Sequence, residues 1–421
     1  MRFSHQIIGI ALAVALSGMP LAQAAEQRNQ EKDKESSGST FMSQTTYNRI
    51  SRAHELIEEE NYAEALEQLL DLADDVKARP YEHAVVLQSL GYVYIAQEKF
   101  EQAAKYYEQA IGLNALPAEP HKQAVYTLAQ IYATLGEYQK TIDLMVNWFK
   151  VAENPPADAY IMVANAYAAL DKFREAYPYV TQAIQKADRV REDWYKLALG
   201  IQFELRKYPE AAQTLEVLVA NWPDNKTYWK QLSGIYLELS NEPRALATMA
   251  LAYQRDALTE SEDLLNLARL YMLNNVPAEA GKILEKELAS GRIEATQKNY
   301  ELLAQAWVQA REFEKGTVAL GKAAEMADDG ELFIRQAQIF VSLADWSRAA
   351  NAARKALEKG GMDQKKTGQA WLLVGTAAAE QKDFDTAIEA FTKASGYEDT
   401  RRTAKQWLNF VQTEQQVSSL N

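Results

Sequence analysis

The sequence predicts an all-α protein built as one long stack of helix pairs. Three observations predict it. Glycine and proline are scarce, 18 and 11 in 421 residues, below the ~7% and ~5% typical of globular chains, which disfavours hairpin-rich β folds. A pattern recurs along most of the chain: a small residue, an aromatic or large apolar residue three positions on, then a second aromatic followed by Ala twelve positions after the small one. The prolines gather where that pattern breaks.

The clearest copy is Leu90-Gly91, Tyr94, Phe100, Ala103, Tyr107, Ala110. Before it come Ala53, Leu56, Tyr62, Ala65 and Leu69; after it Ala129, Tyr132, Tyr138, Thr141, and Ala164, Tyr167, Phe173, Ala176. The residues that follow the central aromatic are Ala65, Ala103, Thr141, Ala176, Ala211, Ala245, Ala280, Gly316, Ala349 and Ala387. Their spacings are 38, 38, 35, 35, 34, 35, 36, 33 and 38. Ten copies near a 34-residue period resemble the tetratricopeptide repeat, a helix–turn–helix unit. The resemblance covers residues 46–397 and implies a right-handed superhelical solenoid of about ten such units.

The residue types have physical reasons. Small residues such as Gly91, Ala129, Ala164 and Ala304 let the second helix approach the first. Ala65, Ala103 and Ala176 are expected at the tightest part of the same crossing. Tyr94, Phe100 and Tyr107 fill the space between one pair and the next. Each pair alone leaves an apolar face bare, so stacking makes one continuous core. The fifth copy departs from the pattern, with Gln202 where an aromatic is expected. Pro80, Pro117, Pro120, Pro155, Pro156 and Pro223 lie between copies, where helices are expected to stop. Pro209, Pro243 and Pro277 fit first turns of second helices, and Pro178 is placed to bend its helix. Thr400 to Gln412 reads as a capping helix, with Ala404, Trp407, Leu408 and Val411 at helical spacing, so 398–421 is a cap and tail.

Arg2, the uncharged run Ile7 to Leu16, the breakers Ser17, Gly18 and Pro20, and Ala22-Gln23-Ala24 form the three-part pattern of a secretory signal over 1–24. Cleavage is expected between Ala24 and Ala25. The run is short of the ~20 apolar residues a spanning helix needs, so no integral membrane segment is expected after signal removal. Residues 25–45 are polar and read as a flexible leader. In a Gram-negative cell the destination is the periplasm.

With 45 Lys+Arg against 58 Asp+Glu the net charge is −13, and nucleic acid is not an expected partner because phosphate binding needs clustered cations. The chain has no cysteine, so disulfides, thiolate metal sites and cysteine nucleophiles are out. His54, His83 and His121 sit in three different copies with no paired ligand spacing, so no metal and no cofactor are expected; His54 reads as a solvated helix residue, with a place facing the groove as the alternative. No phosphate-binding glycine loop or nucleophile elbow occurs, and the chain is read as non-catalytic. Most of the tryptophans and tyrosines fall on repeat positions, as Trp229, Trp307, Trp346 and Trp371 do, and those are expected in the core.

What the repeat leaves over is the side of the first helices that lines the groove of such a superhelix. The positions three before and one after the small residue are Gln88 and Tyr92, Tyr126 and Gln130, Ile161 and Asn165, followed by Lys196, Lys230, Leu265 and Arg269. Tyrosines beside amides suit an extended peptide, combining apolar area with hydrogen bonds. The Lys/Asn carboxylate clamp of chaperone-binding relatives is not matched, since Ile50 and His54 stand at its first positions.

The opening copy (TTYNRISRAHELIEEENYAEALEQLLDL), the 22 tyrosines and the cysteine-free export signal resemble the periplasmic tetratricopeptide proteins that accompany TonB–ExbB–ExbD energy-transduction systems in marine gammaproteobacteria. That resemblance implies a protein-interaction scaffold with TonB/ExbB/ExbD-type components as partners, in uptake of iron complexes. The alternative expectation is an adaptor in cell-envelope or exopolysaccharide assembly. Monomer and homo-oligomer are both compatible with the pattern.

Overall fold

A computed structural model describes residues 41–420. The expected signal, its cleavage point Ala24/Ala25 and most of the leader lie outside the described residues. The chain divides into two units, 1–214 and 215–421. The first holds α1 (Gln44–Glu58), α2 (Tyr62–Asp75), α3 (Pro80–Ala96), α4 (Phe100–Gly112), α5 (Ala118–Thr134), α6 (Tyr138–Trp148), α7 (Ala157–Ala169), α8 (Phe173–Lys186), α9 (Glu192–Glu204) and the start of α10 (Tyr208–Asn221). The second holds the rest of α10, then α11 (Lys226–Glu238), α12 (Glu242–Gln254), α13 (Ser261–Leu273), α14 (Pro277–Ala289), α15 (Gln297–Gln309), α16 (Phe313–Met326), α17 (Glu331–Ser342), α18 (Trp346–Lys359), α19 (Gln364–Glu380), α20 (Phe384–Ser395) and α21 (Arg401–Leu420). Among the described residues there are 21 helices and no strand. They form ten pairs and a final helix, an all-α helical repeat.

The repeat residues sit where packing is tightest. Ala65, Ala103, Ala176, Ala211, Ala245, Ala280, Ala349 and Ala387 are all fully buried. A methyl group on Gly91 would come 2.6 Å from the ring of Tyr107 and 3.4 Å from the Ala103 carbonyl, so only hydrogen fits there. Thr141 replaces Ala at no exposed cost: its hydroxyl donates to the Glu137 and Ala129 carbonyls at 3.3 and 3.4 Å. Gln202 is buried at 7% exposure with an unpaired side-chain oxygen, which makes the fifth pair the weakest fit to the pattern.

The turn inside each pair follows one recipe that the residue types do not display. Glu60, Glu98, Gly136, Asp171, Arg206, Ser240, Asn275, Arg311, Ala344 and Lys382 all have positive φ. The next backbone N–H returns to the carbonyl five residues earlier, as in Lys99 to Tyr94 (2.8 Å), Asn241 to Tyr236 (2.7 Å) and Asp383 to Ala378 (2.9 Å). This is the Schellman closure of a helix end. It turns the chain tightly enough for the second helix to lie back on the first.

Helices stop where the prolines between copies lie, and two boundary expectations need correction, the end of the leader and the end of the last helix. Pro80 opens α3 as its first residue, and Pro117 and Pro156 are N-caps of α5 and α7; prolines start helices here because the first N–H groups need no partner. Pro178 lies inside α8, which continues past it. The leader ends earlier than residue 45: Ser43 caps α1, its hydroxyl accepting from the Thr46 N–H at 3.2 Å. At the other end α21 is longer than 400–412. It covers the last pair through Ala404 and Val411, which are buried, and through Trp407, stacked on Phe391 at 5.6 Å.

Candidate functional site

In the first unit, the groove-side positions of the first helices carry mainly rings and amides. His54 on α1 lies parallel to Tyr92 on α3, ring centres 5.7 Å apart. Its Nε2 is 3.2 Å from the Ser89 hydroxyl. That hydroxyl donates to the Val85 carbonyl, so it accepts from His54, which assigns the proton to Nε2. His54 is therefore half-buried rather than solvated. Burial pushes its pKa below the ordinary histidine value, with Glu58 opposing. Ser89 beside a histidine is not a nucleophile: it is fully buried and its proton is committed to backbone.

Tyr126 on α5 leans on Trp148 at 5.1 Å, and the indole N–H donates to the Lys122 carbonyl at 2.9 Å. Burial, with a smaller effect of Asp158, pushes the Tyr126 phenol up to about 12. Gln130 and Asn165 are half-buried, and their side-chain amides form no hydrogen bond within the described residues. Two expected groove residues are corrected. Gln88 is 5% exposed and Ile161 8%. Ile161 belongs to a core with Ala164, Ala176, Trp194 and Ala198, because α9 packs over that side of α7. The structure thus leaves Tyr92, Tyr126, Gln130 and Asn165 half-buried rather than covered, and His54 joins them in place of the solvated position expected for it; its ring partner is 38 residues away, a contact that the spacing does not display.

The later positions behave differently. Lys196 pairs with Glu192 at 3.2 Å within α9. In the second unit, Lys230 on α11 reaches Glu260 (3.2 Å) and Asp263 (3.5 Å) at the next first helix. Leu265 is buried, and Arg269 is held by Glu262 (2.8 Å) and Asn266 (2.7 Å). Arg335 pairs with Glu301, and Lys366 with Glu331, each at 3.2 Å and each between successive first helices. Lys230, Arg335 and Lys366 bridge pairs, whereas Lys196 and Arg269 are held within their own helices.

The accessible set offers ring faces, a neutral imidazole and free amides, a chemistry for holding an extended, uncharged peptide rather than for moving protons or phosphates. Among the described residues no group of three or more His, Cys, Asp or Glu is placed to hold a metal ion, and no helix is long and apolar enough to cross a membrane.

The tetratricopeptide repeat family matches residues 89–144, 201–258 and 334–398. No curated protein matches the chain. Solved structures that resemble it include a tetratricopeptide repeat protein from Parabacteroides merdae, 15% identical over 71% of this chain and 100% of that one, TM-score 0.37. Two more are YrrB, described as a TPR protein with an unusual peptide-binding site (16% identity, 41% of this chain and 85% of that one, TM-score 0.34), and MamA (19%, 42% and 94%, TM-score 0.33). At these scores the neighbours add nothing to the family match. With ten pairs in phase, the same turn in each, and three matched segments spread along the sequence, the chain is a protein of tetratricopeptide repeats.

Proposed function

We propose that the protein is a non-catalytic periplasmic scaffold that holds an extended, largely uncharged segment of a partner protein on the first-helix face of its first unit. Tetratricopeptide repeats are protein–protein interaction scaffolds, and the face of Tyr92, Tyr126, Gln130 and Asn165 beside His54 is the observation that carries the reading. Rings supply apolar area at low entropic cost, and the two free amides supply donors and acceptors for a backbone that lacks partners of its own.

The location rests on the Arg2, Ile7–Leu16 and Ala22–Ala24 pattern. Export with cleavage makes Ala25 the first residue of the protein recovered from the cell envelope. The resemblance of the opening copy supports partners among TonB/ExbB/ExbD-type components. A photoreactive amino acid at Gln130 or Asn165, irradiated in intact cells, should trap a single partner. Recovery of a TonB-system component supports the finer reading. Recovery of an envelope-assembly protein replaces it, and no adduct at either position removes the proposed face.

A further inference from the structure

Several seams between successive pairs contain a repeated device, and those of Tyr94, Tyr167 and Tyr271 lack both of its parts. In the third pair, Tyr132 on α5 has Lys140 Nζ 4.8 Å from its ring centre, and its hydroxyl donates to Glu108 on α4. In the sixth pair, Tyr236 on α11 has the Arg244 guanidinium 5.5 Å from its ring, and its hydroxyl donates to Glu216 on α10. In each case the cation follows the tyrosine by eight residues, and the carboxylate follows the buried Ala of the preceding pair (Ala103, Ala211) by five. The cation recurs at the same place over Trp307 (Lys315, 4.3 Å) and Phe340 (Arg348, 4.7 Å).

Tyr167 on α7 occupies the same position in the fourth pair. Eight residues on stands Glu175, and five residues after Thr141 stands Val146. The ring therefore has no cation, and the hydroxyl forms no hydrogen bond among the described residues. It opens instead on a cleft of about 550 Å³ between the second helices α6 and α8, lined by Asp143, Asn147, Val146, Lys172 and Glu175 among others. Tyr179 leans on Tyr167 at 5.6 Å but does not line the cleft, so the open side of the ring is the other one. Lys172 is turned to the Gln139 side-chain oxygen at 2.9 Å, and the Gln139 amide donates to Asp143 at 2.8 Å. Glu175 forms no ion pair among the described residues. Tyr271 is also followed by a glutamate, but that residue, Glu279, is paired with Lys282 at 2.6 Å.

We propose that this cleft receives a basic side chain of a protein partner, an arginine above a lysine, lying over Tyr167 where Lys140 and Arg244 lie over their own tyrosines. Two carboxylates against one lysine leave the cleft negative. Asp143 and Glu175 face the site where the cation would sit, and a planar guanidinium can stack on the ring while donating to both. An aromatic face, an unpaired glutamate and an open hydroxyl, at a position where other pairs hold a cation, distinguish this cleft from an ordinary acidic surface. Its carboxylates lie on second helices and its lining shares no residue with the first-helix face, so it stands or falls separately from that face.

The probe is the peptide acetyl-Gly-Arg-Gly-amide, titrated into the full chain at low salt and followed by the methyl resonances of Ile142, which also lines the cleft. Saturable shifts are expected, with acetyl-Gly-Gln-Gly-amide about tenfold weaker and the lysine peptide between them. Glu175→Lys places a cation over the ring from within and should abolish the shifts; Glu175→Gln should weaken binding without adding one. Absence of a saturable shift in the unaltered protein overturns the proposal. So does equal binding of the glutamine peptide, or binding that survives both substitutions.

Discussion

The first-helix faces of the two units are built from the same repeat and put to different uses. In the first unit His54 and Tyr92 stack between α1 and α3, Tyr126 leans on Trp148, and the side-chain amides of Gln130 and Asn165 bond to nothing among the described residues. In the second, Lys230, Arg335 and Lys366 reach across to Asp263, Glu301 and Glu331 of the next first helix. The contrast separates two roles of a non-packing position. A side chain that bridges pairs contributes to the stack, and one that bridges nothing is available to a partner.

The largest expected effect on stability comes from breaking a bridge. Lys230→Ala leaves the Asp263 carboxylate, 4% exposed, without its cation, and should lower unfolding free energy by about 1 to 2 kcal/mol, read from denaturant midpoints. Next come substitutions at the turn both units share. Gly136→Ala puts a β-carbon at positive φ with no neighbour within 4 Å to clash, so the change isolates backbone strain and should cost about 1 kcal/mol. Ala344→Gly does the reverse in the second unit and should stabilise by about 0.5 kcal/mol, after the added freedom of the unfolded glycine is subtracted.

A smaller effect is confined to the first unit. Burial holds the His54 pKa below its unfolded value, so the unfolded chain binds more protons over that interval. Stability is then fully present above the unfolded value, about 6.5, and falls as pH drops toward the folded one. A His54→Gln variant should show a shallower acid slope in thermal melts, with His83, lowered mainly by burial, retaining its own part. Smallest of all, Asn165→Ala should leave stability within about 0.5 kcal/mol while weakening partner capture. If it destabilises the stack instead, the contrast between the faces fails.

Much of the architecture was legible because packing demands particular residue sizes. The alanines at positions such as 65, 103 and 245 must be small wherever two helices cross closely, and ten in phase are hard to mistake. The turn was not legible. Its positive φ is accepted by Glu60, Arg206, Lys382 and Ala344 alike, since the returning backbone hydrogen bond, and not the side chain, holds it. The candidate site was legible in part. Gln88 and Ile161 occupy the register of accessible residues but are buried, and Ile161 is covered by Trp194 from the next pair. The tyrosine seams were invisible too, because each joins residues 20 or more positions apart.

The sequence by itself determined the repeat, its phase and the all-α class, since those follow from residue size and apolar spacing along one helix pair. Tertiary structure alone decided which leftover positions are open, which cations bridge, and that the seam of Tyr167 opens on a cleft. Those properties depend on what the neighbouring pair presents, and a contact between pairs leaves no periodic mark in either one.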